Sequence, residues 1–448
     1  MEKFRSLSIC LLLVVALLVS AVGCQQPDEG QTQPTGGGES KQPVTLTFWD
    51  MAWGTADRYV PAAEQIIANY KEVAPHVTIN YTNLPWSNWF EAYSTAVASN
   101  GAPDVATGGG YMPFQFATSD EAADLQWIVD QWEKEGTLED FPEGFMEYYR
   151  FKDKQVGICF NVDPRGILVR KDWLEEKGLA EPTNWDEFLE MCKAFTDKEK
   201  GTYGFAYGVA VDSAGSFTNW AVNNGGLSFD REGNAAVDTE RNLQTMQFFN
   251  DLKKAGVLPE GIENYSGSDA QKLFGAGKVG AVYGGSDWAE IIMSSSGLTE
   301  DQLTILHPLT SPSGIQKNAL YFNGYMMFEQ SSLKQEGLNF IKWWSENNQL
   351  LWEEGGMSAF PARTSFMNSL SVFQKPVSKK PFVEYIIPNS VQTVYPMQSG
   401  TPSASMVEGQ KYDMQMMQSA LTQEEKSWQT LLKKLQAELE GTIQSMDQ

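Results

Sequence analysis

Histidine is almost missing from this chain, with two in 448 residues. His76 and His307 sit in "APHVT" and "ILHPL", at a strand start and before a proline, where structural or surface roles are expected. No HExxH, no paired His-Cys ligands and no GxSxG occurs. Zinc-dependent hydrolysis and an esterase-type nucleophile therefore lack the residues that would carry them, and no metal or cofactor is expected. Basic residues are also short, 33 against 57 acidic ones, for a formal charge of −24. Such a surface repels nucleic acid, which is excluded as a partner. Acidic pairs of the kind a glycosidase uses are always available among so many carboxylates, so they carry no specificity.

Long apolar runs are limited to residues 10–19. Lys3 and Arg5 precede that run, and small residues lead from it to Cys24, which are the three parts of a secretory signal. The run is too short to span a bilayer comfortably. Ala21-Val22-Gly23-Cys24 resembles the lipobox of bacterial lipoproteins, in which cleavage precedes a cysteine that then carries lipid. Residues 1–23 are thus expected to be a signal peptide, and 24–43 a lipidated N-terminus and flexible linker, since QQPDEGQTQPTGGGESKQP is polar, rich in Pro and Gly, and aperiodic. Of four cysteines, Cys10 leaves with the signal and Cys24 takes lipid. Cys159, in a strand-like run, and Cys192, in a helical one, are left either to pair or to stay as two buried thiols.

The chain from Val44 to its end has room for two domains and alternates strand with helix, the pattern of an α/β fold with mostly parallel sheets. Val44, Leu46 and Phe48 alternate with threonines, and Val60, Ala63, Ile66, Ile67 and Tyr70 then recur at helical spacing until Pro75. A second strand, 76–81, leads to a helix from near Pro85 to a cap at Asn100-Gly101, and a third strand, 103–107, runs into Gly108-Gly109-Gly110-Tyr111. Three strands therefore end in loops holding Trp49, Asp50 and Trp53, then Trp86, then Tyr111. In open α/β sheets such loops form the mouth of a ligand site.

Two tempting motifs have plainer readings. A GxGxxG match at Gly275 to Gly280 follows a helix and opens a strand, the reverse of the dinucleotide fingerprint, and reads as a helix-to-strand turn. "FDREGNAAVDTE" lacks the carboxylate spacing of a calcium loop and reads as a hairpin turn followed by a helix cap at Asp238 or Thr239. Near the end, Thr422-Gln423-Glu424-Glu425 fits a capping box, and Trp428, Leu431, Leu432, Leu435 and Leu439 form one apolar stripe with a core role.

The chain carries 14 Trp. "FWDMAW", "LPWSNW", "FTNWAVNNGG" and "YGGSDW" each set an aromatic beside Asp, Asn or Gly. A flat apolar ring with hydrogen-bonding groups beside it suits a ligand with a C–H face and a rim of hydroxyls, as a sugar has. Trp89, followed by Phe90 and Tyr93 on a helix, is expected in the core.

Ordered blocks extend this reading. "GAPDV", "VGICFNVDPRGILVRKDWLEEKGLAEPTNWDEFLEMCKAF", "KLFGAGKVGAVYGGSDW", "NALYFNGYMMFEQSSLKQEGLNFIKWWSENNQ" and "GGMSAFPARTS" occur in the order seen in family-1 extracellular solute-binding proteins. The chain resembles those maltose-binding-like receptors of carbohydrate ABC importers from Val44 onward. The resemblance implies a two-lobe periplasmic-binding-protein-like fold with crossing hinge strands and a cleft. Lobe 1 is expected at 44–156 and 316–352, and lobe 2 at 157–315 and 353–448. It also implies an extracytoplasmic, lipid-anchored protein that closes on a sugar or oligosaccharide and delivers it to ABC permease transmembrane subunits.

By the same resemblance Trp49, Trp220 and Trp288 would stack on the ligand. Asp50, Asn224, Asp287 and Asn323 would bind hydroxyls, while Trp53, Trp86, Tyr111 and Asn161 would line the mouth. The competing readings are a lipid-anchored extracellular glycoside hydrolase, and the same fold holding a non-sugar solute such as a polyol, peptide or metal complex. Anionic ligands fit less well, because the cleft loops carry few basic residues apart from Arg165.

Overall fold

Alternation decides the first element: in Val44–Met51, Leu46 and Phe48 are fully buried while Thr45 faces solvent. A computed structural model describes residues 42–446, apart from 87–88 and 210–215. The expected signal peptide, Cys24 and nearly all of the linker lie outside the described residues. After the first strand, helix Ala56–Val73 buries Tyr59, Ala63, Ile66 and Tyr70 as one stripe, and stops ahead of Pro75. Strand Val77–Leu84 then pairs in parallel with the first over its whole length. Helix Trp89–Ala98 is closed by Asn100 in a left-handed conformation, with the Gly101 N–H donating to the Ala96 carbonyl. Strand Val105–Gly109 pairs in parallel on the other edge of the first strand.

Beyond these three strands the sheet continues through Asn318–Met327 and Ile158–Arg170 to Val279–Gly285 and Tyr203–Ala206. The central two are antiparallel and shared between halves of the sheet. Residues 323–327 of Asn318–Met327 pair with Val105–Gly109, while 320–325 pair with Ile158–Arg170. Residues 165–169 of Ile158–Arg170 pair with Val279–Gly285 on the far side. The polypeptide thus crosses between halves along two hydrogen-bonded strands, and the expected crossings at Asn161 and Asn323 lie on them.

Beyond residue 352 the segment near 354–365 keeps contacts with both halves, Ser358 accepting from Ser286 on one side. Arg363, buried, donates to the Ser345 carbonyl and pairs with Asp140 at 3.2 Å, and Arg58 donates to the Glu354 carbonyl. A buried guanidinium keeps its partners close, so Arg363 ties this segment to the residues around Ser345 and Asp140. The C-terminal helices then touch both halves: Pro402–Gln410 packs on Met112–Ala117, and Tyr412–Thr422 on Glu240–Lys254.

Local expectations meet mixed outcomes. Cys159 and Cys192 are two buried free thiols. Gly277, at φ 65°, turns helix Gly267–Gly275 into strand Val279–Gly285, and Thr239 caps helix Glu240–Lys254 through the Asn242 N–H. The capping box at Thr422 does not form. Thr422 ends a helix instead, its hydroxyl donating to the Gln418 carbonyl, and the last helix, Glu425–Met446, buries Trp428, Leu432, Leu435 and Leu439.

Trp220 sits in the core of the second half, 2% exposed, 4.8 Å from Phe248 and 5.1 Å from Trp185 by ring centroids. Its expected stacking role is corrected to packing, because helix Ser216–Asn223 is buried along its whole length. Trp220→Ala is expected to lower unfolding free energy by roughly 3–5 kcal/mol in urea denaturation. A loss below about 1 kcal/mol, within the range of surface substitutions, would contradict this placement.

Candidate functional site

The strand ends converge as the loop composition predicts, with a division of labour that composition does not show. Asp50 is fully buried and does not line the cavity between the strand ends. Its carboxylate accepts from the hydroxyls of Thr107 at 2.6 Å, Tyr59 at 2.9 Å and Tyr81 at 3.1 Å, and from the Trp53 indole N–H at 3.1 Å. The hydroxyl-binding role expected of Asp50 is therefore corrected to a positioning one, since its lone pairs are taken by protein donors. Trp53 is pinned by this network and also donates to Thr107 Oγ1. Trp86 donates to the Ala52 carbonyl and meets Trp53 edge to face at 4.9 Å and 78°. At 37% exposure, Trp86 is one of the few exposed large apolar side chains.

Opposite this wall stands the end of strand Val279–Gly285. A Cβ on Gly284 would lie 2.1 Å from the Trp288 ring, and one on Gly285 would lie 2.9 Å from an Asp287 carboxylate oxygen. The two glycines of "YGGSDW" are what let the indole and carboxylate lie against the strand. Asp287 makes no side-chain cap to helix Trp288–Ser296. Burial pushes its carboxyl above the ordinary value, and the Lys379 ammonium pulls it back. Lys379 is itself buried, donating to Ser286 Oγ and the Ser358 carbonyl at 2.9 Å, with its own pKa lowered by that burial.

Between the walls lies a cavity of about 500 Å3. Trp53 and Trp86 line one side, Asp287 and Trp288 the other. The two crossing strands supply its floor: Asp163 and Arg165, paired at 3.1 Å, from one, and Tyr321 and Asn323 from the other. Arg165 also lies over the Tyr321 ring at 4.8 Å. The lining charges are thus balanced by protein partners. Among the described residues no group of three or more His, Cys, Asp or Glu is placed to hold a metal.

Of the expected residues, Trp53, Trp86, Asp287, Trp288 and Asn323 come together here. Others stand apart. Trp49 is half-buried against Tyr93 at 5.5 Å. Asn161 is fully buried beneath Asn323, which donates to it at 2.8 Å. Asn224 is also fully buried, donating to the Arg241 carbonyl and accepting from the Ser313 N–H. Tyr111 lines a smaller space behind Asn323. The residues missed are Asp163, Tyr283 and Tyr321. Asp163 and Arg165 follow Asn161 at period two in a crossing strand, and Tyr321 precedes Asn323 at the same period, a signal that could have found them.

An α/β sheet split by two crossing strands, with an aromatic-walled cavity over the crossing, defines a cleft-type binding protein. The chain belongs to the bacterial extracellular solute-binding protein family, whose model matches residues 55–349. That family comprises binding proteins rather than enzymes, which removes the glycoside-hydrolase alternative. The polygalacturonan/rhamnogalacturonan-binding protein YtcQ of Bacillus subtilis is 24% identical over 75% of this chain and 68% of its own length. Further bacterial relatives match over 51% and 53% of theirs. A sugar transporter from Arthrobacter chlorophenolicus with bound laminaribiose superposes with a TM-score of 0.73 at 23% identity, covering 88% of this chain and 99% of that one. Maltose-bound MalE3 of T. maritima gives 0.69 at 20% identity, covering 89% and 99%. These neighbours establish the two-lobed α/β architecture.

Burial lifts the Asp50 carboxyl from 3.8 to about 6, against the four hydrogen bonds that favour its charge. The folded state therefore holds this proton more tightly than the unfolded chain. The carboxyl costs nothing below both values, and its ionisation opposes folding as pH rises from about 4 to 6, by roughly 3 kcal/mol in all. Relative to Asp50→Asn, which does not titrate there, the wild-type protein is expected to lose about that much across this window in urea unfolding. Parallel profiles would contradict it.

Proposed function

We propose that this chain captures an uncharged sugar or short oligosaccharide outside the cell, closes on it, and delivers it to the transmembrane subunits of an ABC-type permease. The observation that carries the proposal is the pairing of aromatic walls, Trp53 with Trp86 and Trp288, across a cavity of about 500 Å3 floored by Asp163, Arg165 and Asn323. That volume lies within the roughly 300–1,000 Å3 of small-molecule sites. A pyranose would set its C–H face on Trp288 and its hydroxyls on Asp287 and Asn323. The Asp163–Arg165 pair and the Lys379–Asp287 juxtaposition leave little unbalanced charge for an anion or cation to meet. The laminaribiose and maltose of the structural neighbours support the substrate class.

The proposal includes a lipid anchor on Cys24 and a tether through residue 43, which would hold the domain beside its permease. Lobe 1 comprises 44–156 and 316–352, tied to the segment that follows by the Arg363 contacts, and lobe 2 the remainder. The two crossing strands are the hinge.

Thermal unfolding of the chain from Gln25 onward, against laminaribiose, maltose, polyols, amino acids and metal ions, tests this reading. A ligand at about one hundred times its dissociation constant adds roughly 2.7 kcal/mol. One sugar class is expected to shift the midpoint without being turned over, and Trp288→Ala is expected to weaken its binding about tenfold or more with the unliganded midpoint nearly unchanged. A shift with a polyol, peptide or metal complex alone would keep the fold and overturn the ligand.

A further inference from the structure

A second space borders the floor of the cleft. Tyr321 and Asn323 line the main cavity and also this second space of about 60 Å3. Its other walls include Tyr111, Tyr148, Phe322, Val394 and Glu408. A water needs roughly 10–15 Å3 of such space, so this annex admits a few waters or a small substituent of a larger ligand. Helix Pro402–Gln410, which carries Glu408, is held over the annex by the Ser405 hydroxyl donating to the Tyr111 carbonyl at 3.2 Å.

The chemistry of the annex is sided. Phe322, Val394 and Ala404 are apolar and buried. Glu408 brings a carboxyl that burial and the charge of Asp413 push up, against a hydrogen bond from Thr393 and the more weakly felt Arg165 guanidinium. The Tyr321 hydroxyl is buried with no hydrogen-bond partner among the described residues. A buried hydroxyl without a partner costs free energy that a bound ligand can return.

We propose that this annex is a group-sized subsite reading the exocyclic hydroxymethyl of a sugar unit held in the cleft, with Glu408 as the specificity-determining residue. The methylene meets Phe322 and Val394, while the hydroxyl donates to a Glu408 oxygen and accepts from Tyr321. A hexopyranose is thereby selected over the matching pentopyranose, which has no such group. A uronate is rejected, because it would bring a third carboxyl to Glu408 and Asp413. The inference rests on the sugar reading above and deepens it.

Calorimetric titration of the purified protein with matched pairs tests it: D-glucose and D-xylose, D-galactose and L-arabinose, cellobiose and xylobiose, with D-glucuronate and D-galacturonate added. In the pairs that bind, the hexose is expected to be tighter by about tenfold or more, the worth of one hydrogen bond to a charged or buried group. Ala404→Val, which fills the annex without changing charge, is expected to remove that preference by weakening the hexose alone. Glu408→Gln, nearly isosteric, is expected to relax the rejection of uronates. Equal hexose and pentose affinities, or ratios unmoved by both variants, would overturn the annex and leave the sugar reading standing. Silence from every sugar would overturn both.

Discussion

The site depends on one buried carboxylate. Asp50, one residue before the end of the first strand, accepts from side chains of the first helix, the second strand and the third strand, Tyr59, Tyr81 and Thr107. It also accepts from the indole of Trp53 at the cavity edge. A buried charge is tolerated only where its lone pairs are filled, so these elements are held in one arrangement. A Trp side chain offers one donor, and that donor being occupied on the inner side fixes which face the ring presents to the cleft. The preorganisation of one wall therefore comes from a residue that does not line the cavity.

The opposing wall is built on two glycines. Gly284 removes the Cβ that would collide with Trp288, so the indole lies on the strand end. Asp287 beside it stands near a buried ammonium, Lys379, which arrives from a distant segment of the chain. Between the walls, Asp163 and Arg165 on one crossing strand face Tyr321 and Asn323 on its neighbour, with Asp163 opposite Tyr321 in the register. Floor and hinge are thus the same two strands.

The alternation of Val44–Met51 and the stripe of Ala56–Val73 made the first half of the fold legible, and the crossing strands were marked at Asn161 and Asn323, whereas Gly108 and Gly109, read as loop, pair within strand Val105–Gly109. Trp53, Trp86, Asp287, Trp288 and Asn323 were legible as site residues because strand-end position and residue type agree for them. Trp220 and Asn224 share that local chemistry and face inward, because helix phase and tertiary packing, not composition, decide which way a side chain points. Asp50 misled for a different reason: a carboxylate flanked by tryptophans reads the same whether its donors come from ligand or protein. Arg363 ties its segment to Asp140, some 220 residues earlier, through a pairing that no local pattern encodes. The C-terminal capping box failed because Thr422 is the last residue of the preceding helix, its hydroxyl donating back to the Gln418 carbonyl, and the next helix begins only at Glu425.

A crystal structure of the protein with a disaccharide that stabilises it tests the central claim most directly. The account predicts a sugar ring with its C–H face on Trp288, facing Trp53 and Trp86, hydroxyls on Asp287 and Asn323, and Asp50 still bonded to Tyr59, Tyr81 and Thr107 without touching the ligand. A sugar that reaches Asp50, or that binds away from these two aromatic walls, would contradict it.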